Sequence, residues 1–149
     1  MYNGIYDKEC FAYLYHPLER WIHLCLNGSG VGQQLSLAGV KYVAVYGVGG
    51  LGQMVISDLM NSGVSITCLI DRQASNYPRG FNGLPVLSIP DYAADRSGEI
   101  VLVTPEFAFR QISDDLIAAG VPADRIVSLA MALEGGGESH EHAMAGVTG

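Results

Sequence analysis

The stretch "KYVAVYGVGGLGQMVISDLMNSG", residues 41 to 63, narrows the fold more than any other feature of this chain. Its first six residues, 41 to 46, are rich in valine and tyrosine and predict a buried strand. Gly47, Gly49 and Gly52 then follow at the spacing G-x-G-x-x-G. From Gly50 to Asn61 the apolar residues Leu51, Met54, Val55 and Leu59 recur on one helical face, and Gly63 stops the helix. A buried strand that runs through a glycine turn into a helix is half of a parallel βαβ unit, because only a crossover helix can return the chain to a parallel neighbour.

The rest of the chain supplies the partners. "SITCLI" (65 to 70), "LPVLSI" (84 to 89), "EIVLVT" (99 to 104) and "RIVSLA" (125 to 130) read as four further strands. Between the last two, Thr104 is expected to cap a helix with Pro105 in its first position. Phe109, Ile112, Leu116 and Ala119 would form its inner face, with Gly120 and Pro122 at its end. The expected fold class is a doubly wound α/β domain of three layers. It has a five-stranded parallel sheet in the order 3-2-1-4-5, the first strand lying centrally beside the topological switch point.

Ahead of this unit, Phe11, Leu14, Leu18, Trp21 and Cys25 make an apolar helical stripe. Pro17 fits best in a first turn, so a helix is expected from there to Asn27-Gly28, and Ser29 is expected to cap a second one ending at Gly39. The tail "EGGGESHEHAMAGVTG" is too poor in apolar residues to offset its ordering entropy. The expected division is an N-terminal helical extension (1–40), a nucleotide-binding domain (41–133) and a flexible glycine-rich tail (134–149).

Composition restricts the partners. The chain has 149 residues, 49% of them hydrophobic, and a formal net charge of -7. That length suits one domain with a core. The acidic balance supplies no basic stripe for phosphate backbones, so no nucleic acid is expected as partner. No apolar run approaches the ~20 residues of a spanning helix, and the N-terminus carries no secretory pattern. A cytoplasmic location without membrane insertion is the expectation. Cys10, Cys25 and Cys68 lack C-x-x-C spacing and read as reduced thiols.

The glycine turn carries the functional expectation. A strand-turn-helix junction aims free backbone N–H groups and the positive end of the helix dipole at one point, which attracts a pyrophosphate. Gly47 would allow the tight turn, Gly49 the approach of the phosphates, and Gly52 close packing of helix on strand. Val48, Gly50 and Leu51 lie in the same cradle. Asp71, closing the second strand, would accept hydrogen bonds from ribose hydroxyls and repel a 2'-phosphate. Arg72 beside it could instead receive that phosphate. NAD is therefore the expected cofactor, ahead of NADP or a nucleotide sugar. The competing reading is that such glycines serve helix-strand packing alone and that the acid caps a turn.

These segments carry a resemblance. The run from Lys41 to Arg72, then Gly83-Leu84-Pro85-Val86, "EIVLVTP" and "LIAAGVPADRIVSL", resembles the small Rossmann-like NAD(P)-binding domains at the N-termini of bacterial nucleotide-sugar dehydratases and sugar acetyltransferases. It covers residues 41 to 130. A similar order of segments occurs in the NAD(H)-binding half of redox-sensing repressors, whose Thr-Val-Pro strand end lies near the nicotinamide. Val103-Thr104-Pro105 is the counterpart here, without the intervening valine, which adds Thr104 and Pro105 to the candidate cofactor contacts. Neither a basic winged-helix domain nor the dehydratases' Tyr-x-x-x-Lys pair is found in these residues. The potassium-channel regulatory domains are similar too, but their acidic segment after the third strand is missing. The resemblance implies binding of a nucleotide and not a reaction.

Catalytic residues are not identified. Glu106 could serve as a base, or simply as an acid in the first turn of a helix. His16, His23, His140 and His142 form no ligand cluster of the usual spacing, and no metal is expected. Tyr77 and Arg79, in the loop after the second strand, could touch the base or a phosphate, or serve as turn residues. The expected function is a nucleotide-binding domain with an accessory or sensing role, within surface-polysaccharide or nucleotide-sugar metabolism. The alternatives are a minimal NAD-dependent oxidoreductase completed by a partner subunit and an interaction module without a ligand. The aromatic residues near the N-terminus leave a homodimer open.

Overall fold

In the computed structural model, which describes residues 30–95 and 98–134, five parallel strands form one sheet in the order β3-β2-β1-β4-β5. The strands are β1 (Tyr42–Tyr46), β2 (Ser65–Ile70), β3 (Val86–Leu87), β4 (Ile100–Val103) and β5 (Ile126–Ser128). The helices are α1 (Val31–Leu37), α2 (Gly50–Met60), α3 (Ile89–Ala94), α4 (Phe109–Ala118) and α5 (Leu129–Glu134). This is the doubly wound, Rossmann-like α/β fold expected from the alternation of strands and helices, with the expected strand order.

Alternation along β1 separates two cores. Val43 and Val45 face α1, α2 and α5, where Val31, Leu35, Val55, Ile56, Leu59, Leu129 and Leu133 pack. Ala44 and Tyr46 face α3 and α4, meeting Tyr92, Ile112 and Leu116. A parallel sheet buried on both faces needs such cover, and the near-continuous apolar strands follow from it.

Several local expectations are corrected. Met54 is 54% exposed, and Ile56 takes the inner position on α2. The third strand stops at Leu87, since the Ser88 hydroxyl accepts from the Asp91 N–H at 3.2 Å and opens α3, with Pro90 in its first turn. The fifth stops at Ser128, whose hydroxyl accepts from the Met131 N–H at 3.1 Å and opens α5. Thr104 does not cap α4. A 3-10 turn, Glu106–Ala108, intervenes, and α4 begins at Phe109.

At α1, the N-cap is Gly30, which brings no side chain. Asp58 of α2 accepts from the Val31 and Gly32 N–H groups at 2.8 and 3.1 Å. A carboxylate from another helix thus accepts from the first N–H groups of α1. The helix expected from Pro17, the cap at Ser29, the four histidines, Cys10, Cys25 and the tail lie outside the described residues. Cys68 is buried, and burial pushes its thiol up to about 11. It is protonated at neutral pH. No helix among the described residues is long and apolar enough to cross a membrane.

Candidate functional site

β1 is the central strand: the chain leaves it toward β2 and β3 on one side, and then crosses to β4 and β5 on the other. The carboxyl end of β1 is therefore the switch point, where open α/β sheets form a crevice. Gly47 occupies it.

Gly47 has φ +110, a region closed to most side chains, and its N–H donates to the Ile70 carbonyl at 2.9 Å. The turn folds back so tightly that a Cβ on Gly52 would stand 2.0 Å from the Gly47 carbonyl oxygen. Two of the three glycines thus have a structural reason to be glycine. Gly49 and its neighbour Gly50 do not: a Cβ on either would meet nothing within 4 Å, and both are exposed.

Gly49 is also the N-cap of α2 and offers no side-chain acceptor. Among the described residues, the N–H groups of Gly50, Leu51 and Gly52 have no hydrogen-bond partner. An 11-residue helix with its first donors unspent presents partial positive charge at that end. Leu51 is half-buried against the α2-side core, and Val48 is fully buried there. Their side chains anchor the turn while its backbone faces outward.

Asp71 is tied into the same turn. Its Oδ2 accepts from the Val48 N–H at 3.0 Å, and its Oδ1 accepts from the Gln73 N–H at 2.8 Å. Each oxygen keeps a lone pair for another donor. The competing reading, that this acid closes a turn, describes a contact that is present. It leaves the remaining lone pairs open to a ribose.

Arg72 is exposed and leans the other way, toward Tyr46 on the α3/α4 face. Burial pushes the Tyr46 hydroxyl above the ordinary tyrosine range, and the Arg72 guanidinium offsets part of that shift.

Thr104 and Pro105 back the turn from β4. Thr104 is 1% exposed, and its hydroxyl and N–H both donate to the Tyr46 carbonyl, at 2.9 and 3.1 Å. Its Oγ1 and the Pro105 ring stand where a Cβ on Gly47 would point. Gln53 was not singled out by its sequence position. Its amide donates to the Val48 carbonyl at 3.0 Å and braces the turn from α2.

Glu106 turns away from this crevice. Its Oε2 accepts from the Ala130 N–H at 3.0 Å, in the first turn of α5. Burial raises its pKa above the usual carboxylate range, and hydrogen bonds from Ala130, Leu129 and Ser128 oppose the rise. It does serve a helix N-terminus, though one later in the chain than the helix it precedes.

Tyr77 packs edge-on against Phe81, with ring centroids 6.4 Å apart, and both rest on the α2-side core. Arg79 is exposed. Asn82 (φ 52) and Gly83 (φ 78) form the two-residue loop of a small hairpin, closed by mutual backbone hydrogen bonds of Phe81 and Leu84 at 2.9 Å. The Asn-Gly pair is the sequence signal for it. Among the described residues, no group of three His, Cys, Asp or Glu side chains could hold a metal.

No family model matches this chain, and no curated protein matches it. Among solved structures it is similar to one described as "Crystal structure of RSP, a Rex-family repressor", at 17% identity and a TM-score of 0.44. The similarity covers 77% of this chain and 66% of that one, so this chain spans less than two thirds of that protein's length.

Proposed function

We propose that the glycine turn holds the pyrophosphate of a nicotinamide dinucleotide, NAD before NADP or a nucleotide sugar. In this reading the chain is a nucleotide-binding domain with a sensing or accessory role, and residues 41–133 carry the site. The observation that carries the reading is the open surface over Gly49 and Gly50. Packing accounts for Gly47 and Gly52, but nothing packs where the other two lack side chains. Glycine there costs helix stability, up to ~1 kcal/mol in a helical position, and what it provides is backbone accessible to a ligand.

The phosphates would meet the N–H groups of Gly49, Gly50 and Leu51 at the positive end of α2. Asp71 would offer its free lone pairs to ribose hydroxyls, and its charge disfavours a 2'-phosphate. Thr104 would act through the turn, by fixing Gly47, and Pro105 would bound the crevice on the β4 side. The dinucleotide itself would supply hydride chemistry when bound. A sensing role fits the chain's own residues better than turnover, since the carboxylate of Glu106 is spent on α5 and that of Asp71 holds the Val48 and Gln73 N–H groups of the turn. A link to polysaccharide metabolism rests on the sequence resemblance alone, and a homodimer remains part of the same proposal.

A melting screen tests it. A ligand that binds only the folded state at 100 times its dissociation constant adds ~2.7 kcal/mol of stability. NAD or NADH is expected to raise the melting temperature, with NADPH and UDP-glucose giving smaller shifts. Absence of a shift with all four at millimolar concentration contradicts the proposal.

A further inference from the structure

At the amino edge of the sheet, opposite the glycine turn, α1, α5 and the first residues of β1 and β4 leave an open cavity of about 640 Å³. Its wall continues the α2-side core. Leu35 and Ala132 are buried members of that core, whereas Val40, Ile100 and Val127 pack against it and stay partly exposed. Met131, on the same wall, is 53% exposed. The core thus runs out to the surface between two helices, and an apolar hollow of this kind marks a place where something docks.

Two terminal stretches outside the described residues adjoin the helices that flank it. The tail after Glu134 follows α5 and brings no apolar stripe. Residues 1–29 lead into Gly30, the N-cap of α1, and they carry one. In the helix expected from Pro17 to Asn27, Leu18, Trp21, Ile22 and Cys25 share one face, the pattern of a helix that needs cover on that side.

The lengths agree with this seat. Only Gly28 and Ser29 separate that segment from Gly30, and links so short make consecutive helices antiparallel neighbours. Leu18 to Cys25 spans about 10 Å of helix, which is also the length of the seven-residue α1. An antiparallel return along α1 sets Cys25 beside Val31 and carries Trp21 and Leu18 to Ala38, Gly39 and Val40, which line the cavity. Ala38 and Gly39 bring little bulk there, which suits the approach of an indole.

We propose that the cavity is the docking site of this chain's own segment 17–27, with Trp21 and Leu18 seated between α1 and α5. The short link holds the segment beside the cavity at a high effective concentration, which favours it over the same segment of a second copy. Its docking completes the α2-side core at the amino edge and does not depend on what the glycine turn binds.

Trp21 is the one tryptophan of the chain, so its fluorescence reads the docking directly. The test is acrylamide quenching of the full chain. Wild-type emission is expected to lie to the blue of free tryptophan and to resist acrylamide, equally at micromolar and nanomolar protein. Met131→Lys and Ala38→Gln alter the two helical walls at partly exposed positions. Far-UV circular dichroism should show the fold retained in both, while the emission moves to the red and the quenching constant rises severalfold. Met54→Lys, on the exposed face of α2, should change neither. Three results overturn the proposal: a Trp21 quenched as freely as tryptophan in solution, wild-type emission and quenching in either folded wall variant, or protection lost on dilution, which makes the occupant a second copy.

Discussion

A methyl group on Gly52 would stand 2.0 Å from a backbone oxygen, whereas one on Gly49 or Gly50 would stand in open space. The same substitution therefore has opposite outcomes within one turn. Gly52→Ala must push α2 off β1 and is expected to cost about 3 kcal/mol in urea unfolding, as overpacking does. Gly50→Ala is expected to stabilise by about 0.5–1 kcal/mol, the helix propensity difference. Asp71→Ala removes acceptors from the Val48 and Gln73 N–H groups and should cost about 1–3 kcal/mol, also by urea unfolding. Glu106 makes a prediction in pH. Its folded pKa is raised by burial, so the folded state binds its proton more tightly than the unfolded state. That contribution is complete below the ordinary glutamate range and is lost as pH rises through the raised value. Unfolding free energies measured from pH 4 to 7 should therefore show Glu106→Gln gaining on the wild type as pH increases. A constant difference across that range would contradict the assignment.

Elements were legible where one force dominates and obscure where a single hydroxyl decides. β1, β2 and α2 follow from apolar runs and glycine stops, and the structure places them within a residue of expectation. The ends of β3 and β5 do not, because "VLSI" and "IVSLA" continue the apolar pattern through the serine. Ser88 and Ser128 each turn the chain from strand into helix by accepting from the N–H three residues on. Thr104 misled in the opposite direction, since its hydroxyl is used on Tyr46 and not on a helix. The cap of α1 was beyond reach of local reading, for Asp58 supplies it from another helix. Replacing Asp58 with alanine should cost about 1–2 kcal/mol, in the range of lost N-caps, and should speed amide exchange at Val31 and Gly32 more than in β1. At the candidate site, the glycines and Asp71 were legible from spacing, whereas Gln53 and the inward set of Thr104 depend on how the turn folds back.

For the whole molecule, the two edges of one sheet differ. The carboxyl edge, at the switch between β1 and β4, carries a turn braced by Asp71, Gln53 and Thr104 with its outer backbone bare. The amino edge carries the cavity between α1 and α5. Strand order and the position of the turn follow from the alternation of elements, while the cavity arises from helices packed at their ends and has no signature in spacing. Dinucleotide binding would depend on the bare backbone at the carboxyl edge. The most direct measurement is calorimetric titration of NADH into the wild type and into Gly49→Val, with melting curves of both. The variant is expected to keep a melting temperature near that of the wild type, since nothing lies within 4 Å of the added Cβ, and to lose NADH binding. Equal NADH affinity in the two proteins would contradict it.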